Sequence, residues 1–196
     1  MPCLHNPGAK AVGVSRPILC CRKDVTVEAT GSIVEVLEGE DCQVGREAGA
    51  RQHDGDLMTV VFNDRAESLD DLSVSNWKGK WDSIRWGGGT EIMPGWTKLV
   101  DIFTDEFGHL PKAERPAMLA LVITDGEAHD AQQFASEITK LAGTTYVCVA
   151  VLGYGADHDP TMASSGMIAA ANDHVRVVAF GGQDDPKAIA NDLLSL

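Results

Sequence analysis

The chain has 196 residues, long enough for one large domain with its own core. Hydrophobic residues make up 44% and charged residues 23%, which is ordinary globular composition and excludes wholesale disorder. The net charge of -13, from 16 basic and 29 acidic residues, argues against nucleic acid or an anionic membrane as partner, because both require a basic surface.

Residues 1–23 hold mixed turn signals, and Met1–Lys10 is interrupted by Pro2, Pro7 and Gly8, so no secretory leader is expected there. They read as a tail or extra edge segment, followed by a domain over residues 24–196. No apolar run reaches the roughly 20 residues that span a bilayer. The five cysteines fit neither a zinc pattern nor a disulfide framework, so free thiols and a cytoplasmic location are expected.

From Asp24 onward strand-like and helix-like runs alternate. Val25–Ala29 predicts a short β-branched strand ending at the turn and helix-start signal Thr30-Gly31-Ser32. Ile33, Leu37, Val44 and Ala48 keep rough helical spacing, interrupted by Gly39, Gly45 and Gly49. Leu57–Phe62 predicts a buried strand, Leu72–Ser75 a short edge strand and Trp77–Ile84 a short helix. Beyond the glycine loop at 87–89, Trp96, Leu99, Val100, Phe103 and Phe107 line one face of an amphipathic helix.

Met118–Thr124 is a continuous apolar strand of the kind found inside parallel sheets. Ala131, Phe134, Ile138 and Leu141 mark the next helix, and Thr145–Leu152 another buried strand. Met162–Ala171 predicts a short helix, Val175–Phe180 a strand and Pro186–Leu194 a closing helix. The alternation implies an α/β fold with a doubly wound, mostly parallel sheet and one antiparallel edge strand.

Ligands of such sheets bind outside the carboxyl ends of the strands. Thr124-Asp125-Gly126-Glu127 follows one apolar run, Glu28-Ala29-Thr30-Gly31-Ser32 follows another, and the glycine loop delivers Thr90. Two carboxylates and three hydroxyls form an oxygen set suited to a hard cation such as Mg²⁺. The six histidines are scattered and form no zinc pair. His129 and Asp130 read as the solvated start of a helix. The four tryptophans, near the glycine loop, read as core and rim packing.

The runs Leu-Val-Ile-Thr-Asp-Gly-Glu (121–127) and Gly-Gly-Thr-Glu-Ile (88–92) resemble the von Willebrand factor A domain family. The resemblance spans residues 24–196 and is strongest from Leu57 onward. It implies a Rossmann-like fold and a metal-ion-dependent adhesion site. Thr90 then matches the family threonine and Asp125 its final aspartate, while Glu28, Thr30 and Ser32 stand where the family has Asp-x-Ser-x-Ser. A literal Asp71-x-Ser73-x-Ser75 is set aside, because no apolar strand precedes it and no full helix follows before Thr90.

The implied function is a non-catalytic protein-binding module in which Mg²⁺ or Mn²⁺ keeps a position open for an acidic side chain of a protein partner. Two alternatives stay open. One is a metal-independent interaction domain, motivated by glutamate at position 28. The other is a Mg²⁺-dependent phosphate-ester hydrolase, which lacks both an aspartate after the first strand and a lysine near Asp125.

Overall fold

A computed structural model describes residues 27–28, 30–32, 34–35, 57–72, 75–84, 89–152 and 165–180. The expected N-terminal segment, all of the helix expected over Ile33–Ala48 except residues 34–35, which are helical, and the closing helix at Pro186–Leu194 lie outside these residues. The architecture is mixed α/β, with a parallel three-stranded sheet and an antiparallel hairpin.

The described chain begins in a helical stretch, α1, within residues 27–35. The expected strand over Val25–Ala29 is thus replaced by helix at Val27 and Glu28. The reason is tertiary. Val27, Thr30, Gly31 and Val34 follow helical spacing, and Val34 is buried with Leu72, Trp77 and Trp81. Gly31 lies so close to the Trp77 ring that a Cβ there would sit 2.4 Å from it. Burying that face outweighs the strand preference of a few β-branched residues.

β1 (Leu57–Phe62) pairs antiparallel with β2 (Ala66–Leu72) through a tight turn at 63–65. Asn63 closes the turn, its Oδ1 accepting from the Arg65 amide at 2.9 Å. The expected edge strand at Leu72–Ser75 therefore starts earlier, at Ala66, because the Asn63 turn places 66–72 directly against β1. Backbone pairing overrides the low strand preference of Ala-Glu-Ser-Leu-Asp-Asp-Leu. Helix α2 (Trp77–Ser83) covers this hairpin with Trp77 and Trp81.

Helix α3 (Met93–Phe107) leads towards β3 (Met118–Thr124), the first strand of the parallel sheet. α4 (Ala131–Ile138), β4 (Thr145–Leu152), α5 (Ser165–Ile168) and β5 (Val175–Phe180) follow, with strands in the order β3-β4-β5. β4 is central. Its residues Val147–Val151 are all buried, as a strand paired on both edges and covered on both faces must be.

The register sets Ala120, Val122 and Thr124 beside Val147, Val149 and Val151 on one face. That face packs on Ile92 and Trp96 before and within α3, Phe134, Ala135 and Ile138 of α4, and Met167 of α5. Phe134 and Ile138 are fully buried, and Phe134 meets Trp96 edge-on with ring centroids 5.8 Å apart. α3 also packs on the hairpin, with Phe62 of β1 against Gly95. Among the described residues it packs on both the hairpin and the sheet.

Cys148 is buried in β4; the other four cysteines lie outside the described residues. No helix among the described residues is long and apolar enough to cross a membrane.

Candidate functional site at the carboxyl rim of the sheet

β3 ends at Thr124, and the chain must turn off the sheet at once to enter α4. Gly126 makes that turn with φ of 80°, a conformation that L side chains rarely adopt. Two side chains fold back to brace it. Thr124 Oγ1 accepts from the Gly126 amide and Asp125 Oδ1 from the Glu127 amide, both at 3.1 Å. Thr124, Asp125 and Gly126 are all buried, while Glu127 is exposed. The Asp125 carboxylate is thereby held in a set orientation at the end of the strand.

The 89–92 segment reaches the same rim. The His129 amide donates to the Thr90 carbonyl at 3.0 Å, and the Glu91 amide to the Asn63 carbonyl at 2.9 Å. Three connections are therefore laced together: the β1–β2 turn, the 89–92 segment and the 125–130 turn. All follow the carboxyl ends of strands or enter helices beside them, which is where ligands of parallel α/β sheets bind.

Asp130 completes the lacing. Its two carboxylate oxygens accept from the amides of Ile92 and Met93 at 2.8 and 2.7 Å, across 38 and 37 residues of sequence. Asp130 occupies the N-cap position of α4, yet makes no side-chain cap to its own helix. Instead it caps α3, whose own N-cap residue, Ile92, has no acceptor and whose first turn holds no acidic residue. Pro94 has no N–H to satisfy, so the carboxylate meets donors just before it and adds negative charge at the helix N-terminus.

The reading of Asp130 as a solvated helix start is thus corrected: it is half-buried and bonded across the rim. One signal in the sequence pointed there. A helix opening Ile-Met-Pro has no capping side chain of its own and must borrow one.

Of the five expected donors, Thr90 and Asp125 lie on segments bonded to one another. Glu28, Thr30 and Ser32 all lie in α1. Thr30 and Ser32 are buried, whereas Glu28 is exposed. At 3.6 residues per turn, alternate positions point to opposite sides of a helix, so Thr30 faces away from Glu28 and Ser32. In the set-aside motif Asp71 belongs to β2, Ser75 is exposed in a turn, and Ser73 lies outside the described residues.

Among the described residues no three His, Cys, Asp or Glu side chains group to hold a metal. A cation at this rim would need hydroxyl and water oxygens as well. Beside the rim a groove of about 640 Å³ runs along the start of α3, lined by Glu91, Met93, Lys98, Asp101, Asp130 and Gln133 among others.

No family model and no curated protein matches the chain. Among solved structures, a von Willebrand factor type A protein from Catenulispora acidiphila is similar, with 19% sequence identity and a TM-score of 0.49. The match covers 88% of this chain, which spans 37% of the length of that protein.

Proposed function

We propose that this chain is a non-catalytic protein-binding module whose partner docks on the rim formed by the 89–93 segment and the 125–130 turn. The observation that carries this reading is the lacing itself: Thr90 is bonded to His129, and Ile92 and Met93 to Asp130. A pre-formed, cross-braced rim binds without first ordering its loops, which removes part of the entropic cost of association.

A finer reading adds Mg²⁺ or Mn²⁺ at Thr90 and Asp125. A hydroxyl and a carboxylate suit a hard cation, and coordination positions left to water stay open to an acidic side chain of the partner. Calorimetric titration with Mn²⁺ tests it: binding is expected for the native protein and a loss of tenfold or more, roughly, for Asp125→Ala, since one anionic ligand is removed. Capture of partners in Mg²⁺ and in chelator then shows whether the ion serves docking. If Asp125→Ala and Thr90→Ala proteins capture the same partners as the native chain, the rim is not the binding surface.

One observation favours a second, metal-independent reading of the same rim. Helical spacing in α1 points Thr30 away from Glu28 and Ser32, so these three do not converge as the Asp-x-Ser-x-Ser motif would. Partner capture that withstands chelator but not Asp125→Ala selects that reading. Phosphate release from an aryl phosphate, lost in Asp125→Ala, would instead revive the hydrolase.

A further inference from the structure

We infer that Asp130 is a positioning residue that couples the Thr90 segment to the Asp125 turn, so that the two sides of the rim open and close as one unit. This rests on the rim being the binding surface.

The geometry is specific. A single carboxylate accepts from two consecutive amides, and both bonds are short, at 2.8 and 2.7 Å. Bonds from amides to an ionised carboxylate are stronger than neutral ones, and here they also meet the positive end of a fifteen-residue helix. The neighbouring residue of the same turn, His129, bonds Thr90 through the backbone at 3.0 Å. The two segments therefore share three cross-bonds between residues 90–93 and 129–130.

Asp125 stands only five residues before Asp130, with the Gly126 turn between them. Releasing the carboxylate would leave the His129–Thr90 bond as the remaining backbone tie between these segments named above. The start of α3 would then meet the 125–130 turn and α4 through that bond and through side-chain packing such as Trp96 on Phe134. Loosening at Ile92 should thus be felt at Glu127, whose amide reports on the Asp125 side chain.

Residue-resolved amide exchange on the full chain tests the coupling, with Asp130→Ala and Asp130→Asn as variants and Mn²⁺ as the ligand probe. In Asp130→Ala, exchange at Ile92 and Met93 is expected to quicken by about tenfold or more, the scale of one lost charge-assisted bond. His129 and Glu127 should quicken in parallel, while Val147–Val151 of β4 stay unchanged. Asp130→Asn keeps one acceptor oxygen and should give the same pattern at smaller amplitude. Mn²⁺ affinity should fall in the same order across the variants.

Faster exchange confined to Ile92 and Met93 would mean a local helix cap and would overturn the coupling. Uniform quickening that includes β4 in both variants would overturn it too, by making Asp130 a general stability residue. If the native protein takes up no Mn²⁺, the metal reading of the rim fails while the amide pattern still decides the role of Asp130.

Discussion

The sharpest test of the packing that carries the rim is one substitution made at two equivalent places. Gly79 and Gly95 are each the third residue of a helix, α2 and α3 respectively. Alanine at either position gains the same intrinsic helix preference, up to about 1 kcal/mol. Their surroundings differ. A Cβ at Gly79 meets nothing within 4 Å. A Cβ at Gly95 falls 2.7 Å from Cδ1 of Phe62 and 2.9 Å from its Cβ and Cγ. The Cβ of Phe62 is anchored to β1, so rotating the ring cannot relieve that contact, and α3 must retreat from the hairpin.

Overpacking of this kind costs about 1–3 kcal/mol. Gly79→Ala should therefore stabilise by about 0.5–1 kcal/mol, and Gly95→Ala should destabilise by up to about 2 kcal/mol after the helical gain is subtracted. The difference between the two variants isolates the steric part. Urea denaturation with a shared m-value reads both as midpoint shifts of opposite sign. Equal stabilisation in both would refute the close approach of α3 to β1.

Phe134→Ala should lower stability by about 3–5 kcal/mol in the same assay, because it empties a fully buried site against Trp96; a loss under about 1 kcal/mol would show that this face of the sheet is not the core. Gly126→Ala should cost about 1–2 kcal/mol through its φ of 80° and should weaken Mn²⁺ binding beyond the stability loss, as seen by calorimetry on protein that remains folded. Retention of full Mn²⁺ affinity in that variant would separate the turn from the site.

Strands β3, β4 and β5 run over the residues that the hydropathy pattern marks. Continuous β-branched and aliphatic runs leave no other way to hide so much apolar backbone. The helical face from Trp96 to Phe107 was legible for the same reason, and the structure only adds the turn at Met93–Gly95 before it. Less legible was the hairpin partner of β1. Its sequence is acidic and weakly strand-forming, and the Asn63 turn decided its place rather than any periodicity of its own.

The described residues between 27 and 35 show the limit most clearly. Val25–Ala29 has the composition of a strand, but at Val27 and Glu28 the chain is helical, because Gly31 and Val34 fit against Trp77 and Leu72, more than thirty residues away. Glu28 thus joins Thr30 and Ser32 in one helix, where the helix-start signal at Thr30-Gly31-Ser32 had placed only the latter two, and Thr30 points away from the other two.

Local periodicity was enough to specify the apolar strands, the main helices and the Thr-Asp-Gly turn, since each is set by neighbours within a few residues. Which residues share the rim was decided only on folding. Asp130 reads along the chain as the start of its own helix, and becomes the cap of another one 37 residues earlier because two bare amides wait there for an acceptor. A buried amide needs a partner wherever the fold can bring one, and distance in space, which the chain order does not record, selects the partner.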